Sequence, residues 1–305
     1  SPSETMCITV GDSLFAKAKA ADLLPKREWR NADTNLVNEV ADSSHMAYTL
    51  GQLASWTRYP SYDLYVGLMH HFQETYPQLC ALETVLDTTP HPTLPHSILA
   101  LHISSDPDEA ADKPAFLYSS TMHGDEVTGY YLMLRLIDYI LNNAETDSAV
   151  WQILQNVDLY ICPLENPDGT YHLSDDLIFG NNYSRRANQA GVDLNRNYPY
   201  LPTTAGQADV QPETRAMISW MEPKHFVMSV NFHCGSEVLN LPWDLWSSSM
   251  RPHADLDWYR YVGQNLVTQA HAIDSGSYPG VSGRAILTGG DWYTCTGSRQ
   301  DYANY

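Results

Sequence analysis

The sequence predicts an α/β fold built on a central mixed β-sheet with helices on both faces. Two observations point there. Short apolar runs of strand length recur along the chain, namely CALETVL, SILALHI, PAFLYSS, VDLYICPL and HFVMSVNFH, and between them lie longer segments whose apolar residues return at helical spacing. Strands interleaved with helices form layered sheets, and their ligands collect outside the carboxyl ends of the strands. A chain of 305 residues suffices for one large domain or two small ones, and can bury roughly three quarters of its unfolded surface.

Residues 1–50 mix charges with Ser, Asp and Ala and are weakly patterned, so they read as an N-terminal extension; residues 51–305 read as the main domain. Order tightens at TRYPSYDLYVGLMHHFQETYP. Ser61, after Pro60, suits a helix N-cap, and Tyr65, Leu68, Met69 and Phe72 follow at helical spacing. CALETVL and SILALHI read as strands joined by a loop containing Pro90, Pro92 and Pro95. PAFLYSS is a third strand, followed by a helix through GYYLMLRLIDYILNN with Leu134, Ile137, Ile140 and Leu141 on its apolar face. VDLYICPL and HFVMSVNFH are further strands. ADLDWYRYVGQNLVTQAHAI is a helix whose predicted apolar face runs from Trp258 through Val262 and Leu266 to Ala270. There is no internal repeat.

Composition narrows the function. A formal charge of −19 disfavours nucleic acid and anionic lipid, which want Lys/Arg stripes, and suits a solvated acidic surface. The five cysteines are scattered and form no C-x-x-C pair, so they are neither a disulfide framework nor a Cys-based zinc site. No stretch is long and apolar enough to span a membrane, and no secretory segment stands at the start. The chain begins with Ser1, which reads as a processed or cut start.

One interruption in the apolar pattern asks for an explanation. Between PAFLYSS and the helix that follows lie His123, Asp125 and Glu126. Polar groups at the edge of a core need compensation, which a solvated turn or a bound metal provides. His123 ends one strand with Glu126 three residues on, and His233 ends another strand in the same relative position. Two His and one Glu, with an open fourth position, suit a catalytic Zn²⁺. H-x-x-E alone is common, and the paired His70 and His71 read as surface residues.

Further motifs decide between these readings. MHGDEVTG, CPLENPDGT, SRRANQAGVDLNRNYPY, NFHCGSEVLNLPWD and GDWYTCTGSRQDYANY together resemble the zinc metallocarboxypeptidases of the carboxypeptidase A/B superfamily, in particular the regulatory branch of the carboxypeptidase E, N and D type with its secreted bacterial members. The similarity runs from about Trp56 to Tyr305 in family order. It implies one Zn²⁺ on His123, Glu126 and His233, with Asp193 behind the first histidine. It implies that Asn195, Arg196 and Tyr293 hold a terminal carboxylate, for which a guanidinium supplies two parallel charge-assisted bonds. Arg186, ten positions before Arg196, matches the arginine that stabilises the oxyanion. Asp244 and Gln300 match the pocket for the last side chain and favour Arg or Lys. The implied activity is removal of the C-terminal residue of peptides by a water activated on the zinc. The implied setting is secreted or periplasmic, as a monomer acting on peptide or protein C-termini.

The sequence departs from the pattern in one respect that matters. The family's general-base glutamate would fall beyond Tyr305 and no upstream glutamate stands in a matching context, so the chain reads as truncated at its C-terminus, inactive by itself and short of the last central strand. Cys234 replaces a glycine beside His233 and reads as a packed thiol. Two alternatives stay open: an amidase of the same scaffold acting on cell-wall peptides or acylated amino acids, and a non-catalytic, zinc-containing peptide-binding module.

Overall fold

The computed structural model describes residues 6–10, 43–107, 113–179, 182–200, 209–273 and 285–304. The strands of its main sheet are β1 (Met6–Val10), β2 (Cys80–Leu86), β3 (Ile98–Ile103), β4 (Ala115–Ser120), β5 (Asp158–Cys162), β6 (Met228–Phe232), β7 (Leu239–Leu241) and β8 (Ile286–Thr288). They form one sheet of eight strands in the order β8-β7-β1-β6-β4-β5-β3-β2. β1, β6, β4 and β5 run parallel, while β3 and β7 are antiparallel to their neighbours in that block. The expected mixed sheet is therefore present.

The main helices are α1 (Tyr62–Thr75), α2 (Thr128–Asn143), α3 (Ser148–Asn156), α4 (Pro212–Met221), α5 (Leu256–Ile273) and the short α6 (Arg299–Ala303). Ser61 caps α1, its side chain accepting from the Leu64 N–H at 3.3 Å. The pleat sends alternate residues of β3 to opposite faces. Leu99, Leu101 and Ile103 meet the cluster built from α1 and α2, whereas Ile98 and Ala100 meet Met217 and Trp220 of α4. Helices cover both faces.

One sequence expectation needs correction. The buried face of α5 is Leu256, Tyr259, Gly263, Val267 and Ala270, with Trp258 53% exposed. Gly263 explains the rotation, because the spot where its Cβ would stand lies 3.3 Å from the Leu239 side chain and 3.6 Å from Ile286. The helix leans on β7 and β8 through that glycine. Met6–Val10, inside the stretch read as an extension, lies between β6 and β7 and pairs with both.

The fold places the site through β4 and β6. They pair in parallel, with Ser120 opposite Phe232, so both chains leave the sheet at the same edge. His233 follows Phe232 directly. After Ser120 the chain turns at Thr121, where φ is 60°, and reaches His123 before α2 begins.

Candidate metal centre and adjoining pocket

His123, Glu126 and His233 converge, with one ligand atom from each lying within 4.8 Å of the others. The Nδ1 atoms of both histidines face the Glu126 carboxylate, His123 at 3.0 Å from Oε1 and His233 at 2.6 Å from Oε2. Each Nε2 is held from behind. His123 Nε2 lies 3.0 Å from Asp193 Oδ1, and His233 Nε2 lies 2.9 Å from the side-chain amide of Asn231 and 3.4 Å from that of Asn195. Two imidazoles and a carboxylate aimed at one point, with their outer nitrogens fixed by other groups, make a donor set that fits zinc.

The electrostatics are those of a charge-compensated cluster. Burial would raise the Glu126 carboxyl, but hydrogen bonds from His123 and His233 overcome it and hold the group well below the usual carboxylate range. Asp193 is depressed in the same way: burial opposes, and His123, then Arg186 and Arg196, prevail. For His123, burial acts downward, yet its bonds to Asp193 and Glu126 raise it above the ordinary value. Arg186 closes the cluster, donating from Nε to Asp193 Oδ2 at 2.9 Å and from Nη1 to Glu126 Oε1 at 3.3 Å, with its side chain 45% exposed.

Three loops are laced together beneath these groups. Asn166 Nδ2 donates to the carbonyls of Met122 and Arg186 at 3.1 and 3.2 Å, and Thr170 Oγ1 donates to the carbonyl of Gly124 at 2.8 Å. The Gly124 N–H in turn donates to the Arg186 carbonyl at 3.2 Å. This close approach requires glycine, since a Cβ on Gly124 would meet the Gly169 backbone at 2.3 Å.

Asn195 links the metal centre to a buried polar cluster. Its Oδ1 accepts from the Arg299 N–H at 3.1 Å, and Arg196 beside it lies 6.0 Å from the ring of Tyr293, itself 49% exposed. Gln300, next to Arg299, donates to Asp244 Oδ1 at 3.2 Å, and Asn240 Nδ2 donates to the same oxygen at 2.8 Å. Asp244, Gln300 and Asn240 are buried. Burial raises the Asp244 carboxyl, with hydrogen bonds from Ser298 and Asn240, then Arg196 and His233, opposing. The side-chain oxygens of Asn240 and Gln300 are buried without a hydrogen-bond partner.

The sequence profile of the zinc carboxypeptidases, peptidase family M14, matches residues 65–305. The chain belongs to the zinc carboxypeptidase family. It is 30% identical to carboxypeptidase D of Drosophila melanogaster over 287 residues, covering 85% of this chain and 19% of that protein. It is 32% identical to carboxypeptidase M of Mus musculus over 206 residues, covering 63% and 44%. The chain thus spans less than half the length of these relatives. Among solved structures, thrombin activatable fibrinolysis inhibitor superposes with a TM-score of 0.64 at 17% identity, over 82% of this chain and 64% of that one. That likeness concerns the fold.

This zinc carboxypeptidase chain brings all ten residues singled out from the sequence into one connected region. Sequence reading missed several others. Arg299 and Glu165 form a buried ion pair, with side chains 1% and 3% exposed. Asn166 organises the loops, and Asn231 and Asn240 back His233 and Asp244. All of them lie within motifs already quoted, Glu165 and Asn166 in CPLENPDGT, Asn231 and Asn240 in NFHCGSEVLNLPWD and Arg299 in GDWYTCTGSRQDYANY, but only spatial convergence reveals their partners.

Proposed function

We propose that this chain carries the metal- and substrate-binding groups of a zinc metallocarboxypeptidase that removes C-terminal Arg or Lys from peptides. The observation that carries the reading is a buried polar cluster. A buried acid, Asp244, stands with two unpartnered acceptor oxygens, on Asn240 and Gln300. A guanidinium or ammonium would satisfy all three, whereas Leu or Phe would leave them unpaired.

His123, Glu126 and His233 would hold the zinc, which when bound supplies Lewis acidity and a water of lowered pKa. Arg196, with Asn195 and Tyr293, would dock the terminal carboxylate and so restrict the enzyme to chain ends. Arg186 presents a half-exposed guanidinium alongside Glu126, placed to stabilise charge growing on the scissile carbonyl oxygen; such a donor contributes ~10²–10³-fold in rate. Asp193 fixes the His123 ring. The family resemblance favours a secreted or periplasmic setting and a monomer. Among the described residues no helix is long and apolar enough to cross a membrane.

The test measures kcat/KM for matched peptides ending in Arg, Lys, Leu and Phe with the zinc-loaded protein. Basic ends should be cleaved fastest, by ~10–100-fold. Equal rates for Leu and Arg ends would refute the pocket assignment.

A further inference from the structure

The turn that carries Gln300 carries a second acid that the reading above leaves without a role. Asp301 is buried at the start of α6, where its N–H donates to the Ser298 hydroxyl at 3.3 Å. Its carboxylate does not point to solvent. Oδ1 accepts from the Asp244 N–H at 2.7 Å, and Oδ2 accepts from the Leu245 N–H at 2.8 Å. Asp244 is therefore held from both ends: its backbone by Asp301, its carboxylate by Gln300 and Asn240.

Asp301 bonds the Asp244 backbone rather than its carboxylate, and the two buried acids interact through their charge. Burial, then the nearby Asp244 charge, raises Asp301 to about 7, with the two backbone amides opposing. Burial raises Asp244 as well. The charged and titratable groups acting on the pair are Arg196 and His233, which favour an ionised Asp244, and the Cys295 thiol, which burial and both acids push up to about 12. The backbone carbonyl of Asp244 also accepts from the Cys295 N–H at 3.1 Å.

We propose that Asp244 and Asp301 act as one paired-carboxyl unit: Asp301 is a positioning residue for the pocket acid, and entry of a cationic side chain drives a proton off the pair into solvent. The proposal rests on the basic-pocket reading. At a pH where the pair keeps a proton, a cation must displace it, so affinity for a basic end should weaken by up to ~10-fold per pH unit as pH falls. An apolar end gains nothing from the ionised pair and lacks that dependence.

The experiment titrates Nα-acetyl-L-arginine and Nα-acetyl-L-leucine into the zinc-loaded chain by calorimetry, from about pH 5.5 to about pH 8.5, in buffers of differing protonation enthalpy. Both ligands share the carboxylate subsite and the zinc, so their affinity ratio isolates the pocket. The expected result is a ratio that rises roughly tenfold across the range, with net proton release only for the arginine ligand. Asp301→Asn keeps the side-chain shape but turns one acceptor into a donor against a backbone N–H; it should retain zinc and lower and flatten the ratio. A ratio above one but independent of pH, with no proton release, overturns the proposal, as does an Asp301→Asn profile matching the wild type. No preference for arginine at any pH would instead overturn the basic-pocket reading. Should Asp301→Asn fail to fold by circular dichroism, the wild-type ratio and proton count decide.

Discussion

Glu126 with Asp193, and Asp244 with Asp301, form two opposite pairs of carboxylates. At the metal centre, Glu126 and Asp193 are surrounded by His123, His233 and Arg186, and all that positive character holds both carboxyls below their ordinary range. In the pocket, Asp244 and Asp301 lie deeper, close to each other, and burial pushes both upward. The first pair is compensated from within the chain. The second is compensated only in part, by backbone amides, side-chain amides and Arg196. A buried acid left short of positive charge is unfavourable for the empty protein, and it becomes favourable when a cation enters. On the proposed reading, the contrast separates a region that grips an ion from a region that sorts side chains.

The largest effect should come from breaking the first region. A His123→Ala, His233→Ala double variant is expected to lose the zinc, from about one ion per chain to none by elemental analysis, since a single carboxylate is not a zinc site. The pocket should keep its structure, because its bonds run through Asn240, Gln300 and Asp301. Full zinc retention in the double variant would mean that the ion is held elsewhere.

The Arg299–Glu165 pair couples the two regions. Arg299 supplies the N–H that holds Asn195, and its neighbour Gln300 lines the pocket. Arg299→Met would leave Glu165 buried without its cation, and removing one partner of such a pair destabilises by ~3–5 kcal/mol. Urea denaturation should show that loss, with weakened binding in the pocket. A loss under ~1 kcal/mol would place the pair among interactions of surface strength.

These two regions were not equally legible in the sequence. His123, Glu126 and His233 stood out because polar residues interrupt apolar runs at strand ends, a pattern that local chemistry alone makes conspicuous. Five sheet strands were legible for the same reason. β7 and β8 have three residues each, too few for any period to show, and β1 is a lone apolar run inside a polar stretch. Arg299 reads as a surface residue by type, since arginine is rarely fully buried unless paired, and its partner Glu165 lies 134 positions away. Asp301 was hidden likewise: its partners are the backbone amides of Asp244 and Leu245, which no residue pattern displays. The face of α5 was misplaced because Gly263 counts as neither apolar nor polar, yet a Cβ there would stand 3.3 Å from the Leu239 side chain of β7.

A last substitution sharpens the contrast at smaller amplitude. The metal centre is positioned by regular structure, since β4 and β6 lead to the histidines and the start of α2 packs across their ends. Gly129 makes that packing possible: a Cβ there would stand 2.7 Å from Ser120 Oγ and 2.8 Å from Phe232 Cβ. Those are the last residues of the two strands. Gly129→Ala removes a flexible residue from a helix, which by itself favours folding by ~0.4–1 kcal/mol. The clash works against it, because overpacking a tight contact costs ~1–3 kcal/mol. The clash should win, since the contacts lie in the sheet rather than at the tip of a flexible side chain. α2 and the strand ends must then move apart by a few tenths of an ångström, and the histidine pair with them. The expected outcome is a lower urea midpoint and weaker zinc binding in a chelator competition. The affinity ratio of Nα-acetyl-L-arginine to Nα-acetyl-L-leucine should stay unchanged in the zinc-loaded protein, because the pocket hangs from Asn240 and the Ser298–Asp301 turn. A variant that keeps its zinc affinity but loses that ratio would reverse the assignment of which elements position which region.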